Sequence, residues 1–253
     1  MPIQVFILGM AGCGKTSLTA KFTSWLRENI RLKVIAVNLD SGAVNLPYEA
    51  YLDVRKFFTL EELMLKEGLG PNGAMVYSME ILEKMTPDIV KTLAEADYDI
   101  AIIDTPGQNE VFSFRPTGPR VVEAFTKLGP SVGVFLIDAS TISKPSDLVA
   151  CFSISIASQI RLGIPVVVAL SKIDKAILSD LEKLLVDYNF LLSSVKNEAG
   201  GGLNKDFTLH LLRIYKNFMK VQKPVKTSAL TGEGLEELYD TIHEALCECG
   251  DLT

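Results

Sequence analysis

Eight residues near the amino terminus, Gly9-Met10-Ala11-Gly12-Cys13-Gly14-Lys15-Thr16, restrict the folds open to this chain more than any other stretch. They fit the pattern G-x-x-x-x-G-K-[ST], a phosphate-binding loop. Such a loop works only between a strand and a helix. The apolar run Ile3–Leu8 precedes it and is strand-sized. Lys15 to Asn29 follows, with Leu18, Phe22, Trp25 and Leu26 at the spacing of one helical face. Glycines let successive backbone N–H groups turn toward phosphate oxygens, and the helix N-terminus adds the positive end of its dipole. Gly12, Cys13, Gly14, Lys15, Thr16 and Ser17 are therefore candidate nucleotide contacts. Lys15 would reach the β- and γ-phosphates and the Thr16 hydroxyl would bind Mg²⁺. The plain alternative, a tight Gly turn that happens to hold a Lys, does not account for both flanking elements.

Further strands are expected at Lys33–Leu39, Asp99–Asp104, Val132–Asp138, Pro165–Ser171 and, briefly, Pro224–Ala229. Most are apolar along their whole length, as strands covered on both faces are, and helical patterns separate them. The fold class is thus α/β: a P-loop NTPase with a mostly parallel sheet flanked by helices and helical insertions. One domain over residues 1–253 is expected. Two stretches exceed simple strand–helix units. Residues 41–98 hold Pro47 and a glycine-rich turn at 68–73, then a helix from about Ser78 to Ala96. Residues 175–223 hold amphipathic helices broken around Gly200–Gly202.

Composition narrows the partners. A formal net charge of −6 without a Lys/Arg cluster argues against direct nucleic-acid binding, whereas a small anion needs only local N–H groups. Four cysteines, Cys13, Cys151, Cys247 and Cys249, are too few or too far apart for a disulfide framework. Cys247 and Cys249 lack the further ligands a structural zinc site needs. Two histidines, with no ligand cluster around them, make a Ser–His–Asp hydrolase unattractive. Without a basic leader or an apolar run of about 20 residues, a cytoplasmic protein with no membrane association is expected.

The other chemistry-bearing segments follow strands. Asp104-Thr105-Pro106-Gly107-Gln108 ends the third strand. An apolar strand ending in Asp is the Walker-B arrangement, so Asp104 joins Thr16 as a candidate Mg²⁺ site. Gln108 stands where GTPases place a residue that orients the attacking water, and Glu110 is near enough to take part. Ser171-Lys172-Ile173-Asp174 ends the fifth strand and is similar to [NT]-K-x-D base recognition. A carboxylate at Asp174 can accept both donors of the guanine edge, where adenine presents an acceptor. Ser228 and Ala229, after the sixth strand, match the short element whose backbone supports the base. Asp40 ends the second strand at the same sheet edge, a candidate for ordering Mg²⁺ waters or the nucleophile, or else a turn former before Ser-Gly.

In this order, with PYE (Pro47–Glu49), DVR (Asp53–Arg55) and Gly70-Pro71-Asn72 between them, these segments resemble the GPN-loop GTPases. The likeness runs from Gly9 to Gly234. Ser41 and Ser171 stand where the family often has Pro and Asn or Thr. Lacking a long acidic tail, the chain looks like the compact archaeal members. The resemblance implies hydrolysis of GTP to GDP and phosphate with Mg²⁺, and a catalytic network at Asp40, Asp104, Gln108 and Glu110. It further implies a homodimer whose Gly70-Pro71-Asn72 loop reaches the partner's site, with Asn72 on the phosphates. A protein client, related to RNA polymerase assembly, is implied in the same way. Two competing readings remain: an ATP-dependent enzyme on the same scaffold, and a nucleotide-binding scaffold without turnover.

Overall fold

The computed structural model describes residues 1–198, 202–221 and 223–250. In chain order the elements are β1 (Ile3–Gly9), α1 (Lys15–Trp25), β2 (Val34–Asn38), β3 (Leu52–Asp53), α2 (Leu60–Glu67), α3 (Pro71–Ala94), β4 (Ile100–Asp104), α4 (Asn109–Phe114), α5 (Thr117–Thr126), β5 (Ser131–Asp138), α6 (Pro145–Leu162), β6 (Val166–Ser171), α7 (Leu181–Val186), α8 (Tyr188–Asn197), α9 (Leu203–Val221), β7 (Val225–Lys226) and α10 (Leu235–Gly250). The seven strands form one sheet in the order β3-β2-β4-β1-β5-β6-β7, with every pairing parallel.

Alternate residues of β1, β4, β5 and β6 feed two cores. Val5 and Ile7 of β1 meet Leu18, Phe22 and Leu26 below α1 and Leu235, Leu238 and Ile242 of α10. Phe6 and Leu8 face the opposite layer, with Leu82 and Ile89 of α3 and Phe125 of α5. Both sheet faces are covered, which is why these strands are apolar without alternation. Leu18, Phe22 and Leu26 are at most 1% exposed. Each such burial is worth about 1.5–3 kcal/mol over an exposed side chain. Together they hold the helix that opens with the phosphate-binding motif.

The first insertion differs from expectation in two places. A short seventh strand, Leu52–Asp53, adds to the edge of the sheet beside β2. The helix expected from Ser78 starts at Pro71 instead. Gly and Pro suggested a loop, but Pro at the first helical position needs no N–H partner and has the right φ already. Gly70-Pro71-Asn72 is therefore the exposed beginning of a 24-residue helix. That helix packs on α2, α4 and α5. The expected break in the second insertion falls between α8 and α9, and Gly200 and Gly201 lie outside the described residues. Among the described residues no helix is long and apolar enough to cross a membrane.

Candidate active site

Because every pairing is parallel, the carboxyl ends of β1, β2, β4, β5 and β6 share one edge of the sheet. Ile7 lies opposite Asp104 across β1–β4, and Asp104 lies opposite Asn38 across β2–β4. In open α/β sheets this edge is where ligands bind, around the strand at which the order turns. Here that strand is β1.

The loop after β1 is possible only with glycine at its ends. Gly9 has φ 135°, and a Cβ there would lie 2.6 Å from the Leu136 carbonyl oxygen and 2.8 Å from Cys13 Sγ. Gly14 caps α1 at φ 96°. The first helical hydrogen bond runs from Leu18 N–H to Gly14 O at 2.9 Å, so the Lys15, Thr16 and Ser17 N–H groups have no acceptor within the helix. Lys15 is only 6% exposed. Its ammonium donates to the carbonyls of Gly9 (2.9 Å), Met10 (3.2 Å) and Gly107 (2.9 Å). The last bond ties the loop to the segment after β4.

Asp104 is fully buried. Its Oδ2 accepts the Tyr48 hydroxyl at 3.0 Å, while Oδ1 meets no donor in bonding geometry. Burial pushes this carboxyl up to about 6. The Thr16 and Tyr48 hydroxyls and Lys15 oppose the rise, and the charge of Asp40 adds to it. An orphaned carboxylate oxygen beside a hydroxyl at the mouth of such a loop is a hard-oxygen donor set. It fits a Mg²⁺ that takes its remaining ligands from phosphate and water. Among the described residues no group of three or more His, Cys, Asp or Glu is placed to hold a metal by itself.

Asp40 stands on the other side of Gly107. A Cβ on Gly107 would lie 3.7 Å from Asp40 Oδ2, and the Gly42 N–H donates to Oδ1 at 2.9 Å. Burial raises the Asp40 carboxyl, against the Gly42 and Gly107 N–H groups and the Lys15 and Arg55 charges. The structure thus brings Lys15, Thr16, Asp40, Asp104 and Gly107 together. Gln108 caps α4 and is half-buried, and its side chain makes no cap hydrogen bond. Its neighbour Asn109 is buried and holds the segment to α6 through Ser158 Oγ at 3.1 Å. Glu110 is exposed and lines a groove of about 310 Å³ with Met10, Phe114 and Ile154.

The segment after β6 is stitched to the phosphate loop. Ser171 Oγ donates to the Cys13 carbonyl at 2.6 Å. Lys172 takes a left-handed backbone, φ 54°, and its ammonium donates to the Gly12 carbonyl (2.8 Å) and Asp138 Oδ2 (2.6 Å). Its stem passes 3.8 Å from the position of a Gly14 Cβ. Ile173 is half-buried and its N–H donates to Thr227 O at 3.2 Å. Asp174 is exposed, with Oδ1 held by the Ser228 hydroxyl at 2.5 Å; Ala229 follows, half-buried. Asn72 is exposed at the start of α3.

A family model described as a conserved hypothetical ATP binding protein matches residues 7–248. The chain is 38% identical over 264 residues to the GPN-loop GTPase PAB0955 of Pyrococcus abyssi, covering 99% of this chain and 100% of that protein. The chain belongs to the GPN-loop GTPases. The crystal structure of PAB0955, titled a GTPase in apo form, superposes with a TM-score of 0.84 at 33% identity over 97% of this chain and 98% of that one. GPN-loop GTPase 1 of Dictyostelium discoideum is 29% identical over 247 residues, which span 95% of this chain and 61% of that protein.

Three features of this GPN-loop GTPase have no role assigned in the sequence reading. Tyr48 lies 56 residues from the carboxylate it bonds. Asp53 and Arg55 form an ion pair at 2.7 Å, with the Asp53 carboxylate further held by Asn38 at 2.8 Å. Burial alone would raise the Asp53 carboxyl, but the Arg55 and Asn38 hydrogen bonds together hold it below the usual carboxylate range. Asp138 anchors Lys172, and Lys172 and Ser140 likewise outweigh burial and keep its carboxyl low. Tyr48, Asp53 and Arg55 lie inside the PYE and DVR segments that carry the resemblance, but only Asp138 carried a signal of position. It ends a strand at the same edge, the reasoning that singled out Asp40.

Proposed function

We propose that this GTPase binds GTP with Mg²⁺ across the β1 edge and hydrolyses it as a two-fold dimer. The observation that carries the reading is the buried Asp104 carboxylate, with one oxygen unpartnered, beside Thr16 and Lys15. Lys15 exchanges its carbonyl acceptors for phosphate oxygens, and the N–H groups of Gly12 to Ser17 support the same charge. Thr16 and Asp104 would hold Mg²⁺, which neutralises charge developing on the phosphates. Gln108, with Asp40 and Glu110 as the alternatives, orients the attacking water. Asp174 reads guanine while Ser171, Lys172 and Ile173 hold it against the phosphate loop, and Ser228 and Ala229 back the base. The grip on phosphate is common to ATP and GTP; Asp174 is what selects between them.

Asn72 supports the dimer. It stands exposed at the rigid start of α3, and its amide can donate to a phosphate oxygen. A C₂ interface places both such loops equivalently, each completing the other subunit's site. Nucleotide state then governs the dimer as a switch or assembly factor for a protein client. The test mixes Asn72→Ala with Lys15→Ala subunits. The subunit able to bind GTP receives an intact Asn72 from its partner, so mixed dimers regain turnover above either parent. Subunit exchange without any recovery would refute a role in trans.

A further inference from the structure

Asp40 leaves β2 in a loop, residues 41–51, that contains no helix or strand. It is nevertheless tied down along its length. Gly42 N–H bonds the Asp40 side chain at 2.9 Å, the Tyr48 hydroxyl bonds Asp104 at 3.0 Å, and Tyr51 N–H bonds Ala36 O at 2.8 Å. Arg55 supplies further ties. Its Nε and Nη2 grip the Asp53 carboxylate at 2.7–3.1 Å. Its Nη1 donates to Ala43 O at 2.9 Å and Val44 O at 3.2 Å, inside the loop. Asp53 Oδ1 also accepts Asn38 Nδ2 at 2.8 Å. Asn38 in turn brackets the Asp40 backbone, its Oδ1 accepting Asp40 N–H at 3.0 Å and its Nδ2 reaching Asp40 O at 3.1 Å.

Hydrogen bonds therefore run without a gap from the guanidinium to both backbone polar groups of Asp40. Asn38 is fully buried and Asp53 only 8% exposed, so water is a poor substitute at either step. The arrangement needs a planar fork that serves a carboxylate on one side and two carbonyls on the other. A lysine ammonium can serve one or the other. The guanidinium is engaged with its own chain on both sides, which marks it as a brace for the loop.

We propose that Arg55 is a positioning residue for hydrolysis: through Asp53 and Asn38 it fixes the backbone of Asp40, and through Ala43 and Val44 it fixes the loop that carries Tyr48 to Asp104. This rests on the reading of Asp40 as part of the catalytic network. A brace of this kind governs placement of the water and has little to do with GTP in its ground state. Displacement of a positioned group by about 1 Å can cost on the order of 10²-fold in rate.

The experiment is a cycle of Arg55→Met, Asp40→Asn and the double variant. Single-turnover hydrolysis at saturating GTP, GTP affinity and melting temperature are measured for each, with Arg55→Lys alongside. Arg55→Met should slow hydrolysis on the order of 10²-fold with affinity within a few-fold. Arg55→Lys should fall between it and the parent. In the Asp40→Asn background, Arg55→Met should cost clearly less than it does alone, because its route through Asn38 ends at Asp40 and only the route through Ala43 and Val44 remains. An Arg55→Met protein that melts lower but turns over at the parent rate overturns the proposal, as does full multiplication of the two effects. If Asp40→Asn itself hydrolyses at the parent rate, the catalytic reading of Asp40 fails instead, and the inference falls with it. Should Arg55→Met not fold, Arg55→Lys goes through the same cycle and decides the matter.

Discussion

Replacing Asp104 by Asn should make the nucleotide-free protein more stable while removing its turnover. The carboxyl is fully buried and pushed up to about 6 from an ordinary 3.8. Two units at 1.36 kcal/mol each amount to about 3 kcal/mol charged against the folded state at neutral pH. The sign follows from proton counting. Between about pH 4 and 6 the folded chain binds more protons at this group than the unfolded chain, so stability falls as pH rises through that window, and the full cost remains above it. An amide has no charge to desolvate, and its oxygen can still accept from Tyr48 Oη. Its NH₂ finds fewer acceptors, which returns about 1 kcal/mol. The net gain is about 1–2 kcal/mol, or several degrees in melting temperature for a chain of this size. Thermal melts with chelator and without nucleotide, at about pH 7 and pH 4, measure it. The gain should be present at the higher pH and absent at the lower. An Asn variant that melts at or below the parent at pH 7, or by the same margin at both, would sink the electrostatic account.

Asp174→Asn should weaken GTP binding by about 1.5–3 kcal/mol, roughly ten- to hundred-fold, and favour xanthosine triphosphate; equal affinity for GTP would remove Asp174 as the reader of the base. Gln108→Ala should slow hydrolysis strongly with GTP affinity within a few-fold, whereas Lys15→Ala should lose binding too; titration and single-turnover assays separate the two, and an unchanged rate in the Gln108 variant would move its role to Asp40 or Glu110. Asp138→Asn frees the Lys172 ammonium on one side at a partly exposed site. GTP affinity should fall about two- to ten-fold, with the rate at saturation kept, and the loss should shrink at high salt; a salt-independent effect would mean that Asp138 acts through packing.

What could be read from the sequence was what neighbouring residues determine together. The phosphate loop is one such case, because Gly9 and Gly14 occupy backbone conformations that no other residue accepts cheaply. The buried strands are another, since double coverage makes a strand apolar throughout. The start of α3 was misread because Gly and Pro signal a turn and a helix N-terminus alike, and only packing on α2 and α5 decides between them. Leu52–Asp53 is too short to show any period at all. Its strand character comes wholly from pairing with Val37 and Asn38.

The site divides the same way, and the division has an electrostatic meaning. Sequence supplied the charged groups, since Lys15, Asp40 and Asp104 each end or follow a strand at one edge. What it did not supply was how they are balanced, because Tyr48 reaches Asp104 from 56 residues away, and Asp53 and Arg55, just beyond that loop, reach the Asp40 backbone through Asn38. Two carboxyls, Asp40 and Asp104, are both raised by burial, and the first raises the second further. Lys15 opposes both shifts, Arg55 opposes that of Asp40 as well, and both carboxyls stay raised. Hydroxyls and N–H groups supply the rest of the compensation as dipoles, which can turn or move aside as a charge cannot. A second cation at Thr16 and Asp104 would therefore meet a field already biased toward it. The proposed Mg²⁺ should accordingly lower the Asp104 carboxyl and erase the stability advantage of the Asn variant. Melts repeated with Mg²⁺ and a GTP analogue should show the parent overtaking Asp104→Asn, the reverse of the order in chelator.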